Sequence, residues 1–400
     1  MIRSVVAALC VSLGCLAHAE QGSANPGAIT ADDIVLRQTA GTLHLAVSLD
    51  RAVPWRAFTL ADPPRAVVDL KGIGWADGVH GMDAAGKRVR AGAFLPGWSR
   101  MVIALDAPLG VTSAELRTGE AGAARLDIRF RKMSAEAFLA ASGAPDAAGW
   151  DGAGGLGQSA LPDQRAPGVF RVVLDPGHGG IDPGAERDGL IEKELMLGMA
   201  LALSDALQAR GVDVVLTRRG DYFVALQTRV AVAQRATADL FVSLHADSLS
   251  AGNAHGATIY TLSDTATDAA SAALAERHSR SDILAGIDLS GTGDEVAGVL
   301  LDLARQRTAP LSEGFAQVLH RTLADHALTL NTRPLRKAGF SVLKSADIPS
   351  VLLEVGFLSS ARDRANLADP AWRSDMISAV ATAITDWRDT QADAPATLRH

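Results

Sequence analysis

The sequence predicts an α/β domain, a mostly parallel sheet covered by helices, preceded by a small all-β sandwich domain. Before residue 133, short apolar runs of period-2 character are separated by Gly, Pro and Asp, as in a sandwich of short strands. After residue 169, short apolar runs alternate with helical patterns, which is typical of βαβ units. A chain of 400 residues, 48% of them hydrophobic, is long and apolar enough for two packed domains.

The first domain is predicted over residues 28–133. Its candidate strands are short runs in which polar and apolar residues tend to alternate: 34–37, 43–49, 66–70, 101–105 and 124–130. This part of the chain contains no group of residues with the spacing of a metal site or a catalytic nucleophile. The histidines here, His44 and His80, stand alone and are typical of surface or core positions.

Residues 135–168 predict a flexible linker, because Gly, Ala, Ser, Asp and Pro dominate and periodicity is weak. The second domain is predicted over 169–388, and a disordered tail over 390–400. Its clearest elements are a helix at 192–210 ended by Gly211, a strand at 212–217, a helix at 226–237 and a strand at 256–262.

Residues 1–19 predict a secretory signal peptide. Arg3 precedes an apolar stretch from Val5 to Leu16, and Ala17-His18-Ala19 forms a small-residue cleavage motif. The stretch is too short to span a membrane, and no other segment is long and apolar enough. Both cysteines, Cys10 and Cys15, lie in this segment, so the exported chain is expected to have no disulfide. Cys15 as a lipid attachment site is disfavoured, because Ser12 is a poor residue at the start of such a motif.

The charge pattern does not indicate a nucleic-acid partner. The formal net charge is −7, and no cluster of Lys and Arg is interleaved with aromatic residues. A mild acidic excess of this kind favours solubility rather than a particular partner.

Four residues indicate the chemistry: His178, Glu192, His245 and Glu354. Each histidine and Glu354 lie at or just after the end of a short apolar run, and Glu192 begins the helical pattern. Parallel α/β sheets place their sites at the carboxyl ends of the strands. Two His and one Glu are a typical open zinc site, and the fourth residue remains as a base. The four together carry this interpretation, since each alone also fits a turn, a helix start or a paired buried charge.

These residues lie in ordered motifs that resemble the zinc-dependent N-acetylmuramoyl-L-alanine amidases of the amidase-3 type. The matching segments are 173–185 (VLDPGHGGIDPGA), 192–194 (EKE), 217–229, 238–247 (ADLFVSLHAD) and 349–359 (PSVLLEVGFLS). The resemblance implies one Zn²⁺ held by His178, Glu192 and His245, with Glu354 as the catalytic base. It implies cleavage of the bond between N-acetylmuramic acid and L-alanine in peptidoglycan.

Three further residues in or beside these motifs are candidates for a supporting or substrate-binding role: Asp175, Arg229 and Asp247. Asp175 is a candidate for orienting a ligand imidazole. Capping of the turn is the alternative role for Asp175.

Residues 264–310 resemble the regulatory insertion of cell-separation amidases, which folds over the active site. Two helical patterns, 269–280 and 294–305, flank a Gly-containing stretch. In the resembling enzymes an acidic side chain of the insertion takes the open zinc position, and a LytM-type activator protein withdraws it. Glu295 is the first candidate for this role here and Glu276 the second. The alternative is two ordinary surface helices.

Residues 58–70 (FTLADPPRAVVDL) resemble the signature of the AMIN domain, a β-sandwich that precedes periplasmic amidases and is associated with their localisation. The resemblance therefore implies a periplasmic enzyme of cell-wall remodelling and daughter-cell separation. Arg65 in this signature is expected to pair with a carboxylate. Two other functions stay open: a zinc peptidase acting on stem peptides, and a peptidoglycan-binding activator, which is expected to lack a ligand or the base.

Overall fold

The computed structural model describes residues 28–76, 79, 83–84, 86–119, 122–145, 168–249, 254–287, 298–345 and 347–393. The predicted signal peptide, 1–19, lies outside these residues. Among the helices of the described part, none is long and apolar enough to cross a membrane.

The N-terminal part is a sandwich of two antiparallel sheets, which confirms the predicted all-β domain. Its strands are β1 (Ile34–Thr39), β2 (Thr42–Leu49), β3 (Trp55–Leu60), β4 (Arg65–Lys71), β5 (Asp83–Ala84), β6 (Lys87–Leu95), β7 (Trp98–Ala104), β8 (Leu109–Thr118) and β9 (Ala124–Lys132). One sheet has the order β1-β2-β9-β8 and the other β3-β4-β7-β6-β5. Leu45, Val68, Met101 and Ile128 pack between the sheets, because alternate residues of each strand point inwards.

A short helix, α1 (Ala135–Ala141), follows β9, so the prediction of a linker from residue 135 is wrong for these residues. Ser134 caps the helix by accepting a hydrogen bond from the backbone N–H of Ala137. The helix stays on the sandwich because Phe138 is buried in its core. Residues 146–167 of the predicted linker lie outside the described part of the chain.

The second part is the predicted α/β domain. Its elements are β10 (Arg171–Pro176), β11 (Glu186–Arg187), β12 (Leu190–Ile191), α2 (Glu192–Gln208), β13 (Asp213–Leu216), α3 (Leu226–Arg235), β14 (Leu240–His245), β15 (Ala257–Leu262), α4 (Ala269–Ser279), α5 (Ser281–Leu284), α6 (Gly298–Asp325), β16 (Leu330–Ala338), β17 (Ser350–Glu354), α7 (Ala361–Ala368) and α8 (Pro370–Asp393). Six strands form one sheet in the order β13-β10-β14-β17-β15-β16. Only the β15–β17 pair of this sheet is antiparallel. Because α8 extends to Asp393, the prediction of a disordered tail from residue 390 is wrong for 390–393.

Helices cover both faces of this sheet, as the continuous apolar runs of the strands predict. On one face, Val172 and Val242 pack against α2, α6 and α8 through residues such as Leu203, Phe315 and Ile384. On the other face, the alternate strand residues Val173 and Phe241 pack against α3 and α4 through Val232 and Leu274. With both faces covered, the carboxyl ends of the strands are where functional side chains converge.

Candidate metal centre

The strand ends bring the four predicted residues together. Strands β10, β14 and β17 are parallel neighbours, and the register pairs His245 directly with Glu354. His178 lies in the loop after β10, and Glu192 begins α2 beside that loop.

Glu192 lies between the two histidines. Its Oε1 is 3.2 Å from His178 Nε2 and 3.1 Å from His245 Nδ1. The backbone N–H groups of Ala185 and Ala246 donate to the two oxygens of this carboxylate, which is fully buried. His178 Nε2 is buried and has no hydrogen-bond partner within the described part of the chain. Two imidazole nitrogens and a carboxylate oxygen converging on one point fit a zinc ion.

Asp182 orients the first histidine. Its carboxylate lies 2.8 Å from His178 Nδ1, so the other ring nitrogen, Nε2, faces the metal position. A carboxylate behind a ligand imidazole is a common device for fixing the ring and its tautomer. Asp182 was not singled out in the sequence, although it stands four residues after His178 in the same Gly-rich loop.

Asp175 and Arg229 support the loop backbone and do not touch the imidazoles. Asp175 is fully buried and accepts hydrogen bonds from Thr217, Ser243 and Arg229. The Arg229 guanidinium also donates to the carbonyls of Pro176 and His178. The candidate role of Asp175 in orienting an imidazole is therefore wrong, because that contact belongs to Asp182.

Burial and neighbouring charges set the protonation of the site. Burial disfavours the charged form of Glu192, but His178 and His245 outweigh it and hold its pKa well below the usual range. Burial likewise lowers the pKa of His178, but Asp182 and Glu192 raise it well above its usual value. Burial, with a contribution from His278, lowers the pKa of His245 to about 4. Glu192 is therefore a carboxylate, and His245 a neutral imidazole, at neutral pH.

Glu354 is fully buried at the end of β17. Its Oε2 accepts a hydrogen bond of 3.0 Å from the backbone N–H of Asp247, while its Oε1 has no hydrogen-bond partner among the described residues. Burial, and then the carboxylates of Asp247 and Glu192, raise the pKa of Glu354 well above its usual value. A carboxylate whose pKa is raised in this way suits general acid–base catalysis near neutral pH.

A third histidine lies beside the two predicted histidine ligands. His278, on α4, is 5% exposed, and its ring centroid is 4.3 Å from that of His245 and 5.7 Å from that of His178. One nitrogen of each of the three rings lies within 4.8 Å of the others. His278 Nε2 is 3.2 Å from Asp247 Oδ2 and 3.8 Å from Glu354 Oε1. His278 therefore fills the space between the base and the two predicted histidine ligands.

Comparison with known proteins gives the family. The family model described as N-acetylmuramoyl-L-alanine amidase matches residues 172–386. The chain belongs to the N-acetylmuramoyl-L-alanine amidase family. The amidase AmiA of Escherichia coli strain K12 is 36% identical over 247 residues, which cover 59% of this chain and 83% of that protein. The amidase AmiC of Neisseria meningitidis serogroup B is 30% identical over 376 residues, which cover 87% of each chain. Among solved structures, AmiC2 of Nostoc punctiforme has 29% identity and a TM-score of 0.40, covering 55% of this chain and 97% of that one.

Membership of this family confirms the resemblance and the prediction of an amidase. In this amidase, Glu276 is the acidic candidate of the insertion that the described residues include, and it does not lie beside His278 in the site. Glu276 is exposed on α4, 3.8 Å from Arg280, and does not reach the metal centre. Glu295 lies outside the described residues. Of the predicted regulatory helices, 269–280 corresponds to α4. Residues 298–305 of the predicted helix 294–305 lie in α6, and 294–297 lie outside the described residues.

Proposed function

We propose that this amidase hydrolyses the amide bond between N-acetylmuramic acid and L-alanine in peptidoglycan, with one Zn²⁺ held by His178, Glu192 and His245. The observation that carries the proposal is the convergence of these three donors beside the buried carboxylate of Glu354. The family of the chain supports the choice of bond. A peptidase acting on stem peptides uses the same donor set, so the bond itself has to be identified in the products.

The chemistry divides between the ion and the protein. Zinc, when bound, supplies a Lewis acid that polarises the scissile carbonyl and acidifies water. Glu354 takes the proton of the attacking water and transfers it to the leaving amine of L-alanine. The Asp247 N–H fixes Oε2 of Glu354, which leaves Oε1 directed at the site. Asp182 holds Nδ1 of His178, so that Nε2 is the ring nitrogen directed at the proposed zinc position.

The proposed location is the periplasm, reached through the signal peptide 1–19. The proposed role is cell-wall remodelling and daughter-cell separation. The sandwich at 28–133 is proposed as an AMIN-like localisation domain. The sequence motifs support these proposals, as does the similarity of the chain to the amidases AmiA and AmiC.

The reaction is tested by incubating the zinc-loaded chain with purified peptidoglycan and identifying the products by mass spectrometry. The expected products are intact stem peptides with L-alanine at the amino terminus, together with glycan strands that keep the lactyl group. A chelator is expected to abolish release, and added zinc to restore it, because the reaction as proposed depends on the Lewis acid that the ion supplies. Stem peptides cut internally, with the lactyl–alanine bond intact, contradict the proposal.

We further propose that residues 264–310 close the site, and that His278 is the closing side chain. The position of His278 against Asp247 and Glu354 supports this, because a substrate carbonyl requires the same space. The sequence favoured an acidic side chain for the role, Glu295 first, and that residue lies outside the described part of the chain. Among the described residues of the insertion, His278 is the side chain that contacts Asp247 and Glu354. An activator, proposed to be of the LytM type, has to withdraw α4 before substrate enters.

Replacing His278 with Ala is expected to raise the basal rate of peptidoglycan hydrolysis. If the open form is about 1–10% populated, removing the closing side chain gives a gain of about 10- to 100-fold. The measurement is release of soluble material from dye-labelled peptidoglycan without an activator. Glu276→Ala is the matched control, because Glu276 lies on the same helix but is exposed, and its rate is expected to stay at the wild-type level. Equal rates for His278→Ala and wild type contradict closure by His278.

A further inference from the structure

The outer face of the sandwich sheet β3-β4-β7-β6-β5 is buried against the amidase domain. Phe58, Val67, Phe94 and Val102 point away from the sandwich core and form one buried cluster with three residues of the second domain, Ile181, Phe223 and Ala285. These strand residues alternate with Val68 and Met101, which belong to the sandwich core. The two domains therefore share a packed apolar interface.

The loop that carries His178 lies along strand β6. The N–H of Ile181 donates to the carbonyl of Ala93 at 2.8 Å, and the N–H of Phe223 donates to the carbonyl of Phe94 at 3.1 Å. Gly92 lies so close to this loop that a Cβ on it would stand 2.6 Å from the Cα of Ile181. Only a glycine fits there, because backbone atoms cannot move aside as a side chain can.

The end of the α4–α5 segment is held by two buried arginines of the sandwich. Arg100 is 2% exposed, donates to both oxygens of Asp69, and stacks 3.4 Å over the ring of Phe94. Its remaining nitrogen donates to the carbonyl of Gly286 at 2.7 Å. Arg65 donates to the carbonyl of Ile283 at 2.5 Å, and to two carbonyls of its own turn. Arg65 therefore binds backbone carbonyls of its own turn and of α5, and its pairing with a carboxylate stays a prediction.

Holding α5 also holds His278. Arg280 ends α4 and immediately precedes α5, so no further linker residue separates the two helices. A movement of one helix is therefore transmitted to the other. Asp282 of α5 accepts the N–H of Leu226 at 3.0 Å, which fixes the same turn to the amidase domain. Gly286, with φ of 68°, lies against Val67 and Val102 of the sandwich. A displacement of α4 that removes His278 from the site must pull this segment off the sandwich.

We propose that the N-terminal sandwich is a clamp on the α4–α5 segment, with Arg65 and Arg100 as positioning residues that keep His278 in the metal centre. The effect of the clamp on activity rests on the proposed closure by His278, but the clamp itself is a structural contact. Any partner that draws the sandwich off the amidase domain then frees the segment. Binding of a partner to the sandwich thereby controls whether substrate can reach Glu354.

Two variants test the clamp in the full-length, zinc-loaded protein. Gly92→Val places a side chain against Ile181 and forces β6 away from the loop, while Arg65→Ala removes the bond to Ile283. Gly198→Ala is the matched control, because a Cβ there meets nothing within 4 Å. Hydrogen–deuterium exchange, read by mass spectrometry, is expected to be at least about 10-fold faster at the amides of 269–287 in both variants. Release of dye-labelled peptidoglycan is expected to rise several-fold, and neither quantity is expected to change in the control.

The outcomes separate the clamp from the proposed function. Unchanged exchange at 269–287 in both variants overturns the clamp. Faster exchange with unchanged peptidoglycan release supports the clamp and contradicts closure by His278, which His278→Ala tests independently. The amides of β2 and β9 report whether the sandwich stays folded. If Gly92→Val loses protection there, Arg65→Ala decides the question.

Discussion

Glu354→Gln is expected to lower the rate of peptidoglycan hydrolysis by about 10²- to 10⁴-fold, the usual contribution of a positioned general base. The glutamine oxygen still accepts the N–H of Asp247, so the side chain keeps its place at the end of β17. An amide cannot take a proton from water near neutral pH, and this function alone is removed. The fold is expected to survive, because Gln and Glu have nearly the same volume.

The measurement is made in the His278→Ala background, where the site is expected to be open and the rate large enough to show such a loss. Zinc affinity, measured by competition with a fluorescent chelator, is expected to stay within about 10-fold of the parent. Glu354 is not a proposed ligand, and changing residues behind the ligands of a metal usually lowers its affinity by about 10- to 100-fold. A rate within a few-fold of the parent contradicts the role of Glu354 as base. An equal loss of zinc assigns Glu354 to metal binding instead.

The convergence of the four site residues could be predicted from the sequence because parallel strands end at one edge. An apolar run followed directly by a polar residue marks that edge, and β14 and β17 fit this pattern with every residue buried. Glu192 could be placed beside them because it starts a long helical pattern. The local sequence pattern and the topology of a parallel sheet are therefore sufficient to predict that these residues converge.

The place of His278 could not be predicted in the same way. The buried residues of α4 are Ser271, Leu274, Ala275 and His278, a helical spacing that puts the histidine on the packed face. That spacing shows burial, but it does not show which strand ends the face covers. Where α4 packs on the sheet depends on tertiary contacts that the spacing within the helix does not specify. The family resemblance, in turn, pointed to acidic residues of the insertion and not to a histidine.

The docked face of the sandwich left a weak signal in the sequence. Ala66, Val67 and Val68 are consecutive apolar residues, and all of β4 except its last residue is buried. A strand that is apolar on both faces is buried on both faces. The sequence could therefore have indicated a covered outer face, but not that the covering surface is the loop of Ile181 and the end of α5.

Glu192→Gln is expected to remove zinc binding, with a loss of affinity of at least about 100-fold, since even residues behind metal ligands contribute 10- to 100-fold. The carboxylate is the one negative donor of the three, and it accepts N–H groups at both oxygens. In a glutamine, an NH₂ group replaces one of the two acceptor oxygens. Because NH₂ cannot accept a hydrogen bond, the N–H of either Ala185 or Ala246 is left buried and unpaired. The metal-free variant is therefore expected to lose about 1–3 kcal/mol of unfolding free energy as well.

Zinc affinity is again measured by chelator competition, and stability by urea unfolding of the metal-free proteins. Glu194→Gln is the matched control, because Glu194 lies in the same first turn of α2 but is exposed. Its zinc affinity is expected to be unchanged and its unfolding free energy to stay within about 0.5 kcal/mol of wild type. Wild-type zinc affinity in Glu192→Gln contradicts the proposed ligand set. In that case the ion is expected to be held by His178, His245 and His278, whose ring nitrogens lie within 4.8 Å of one another in the described part of the chain.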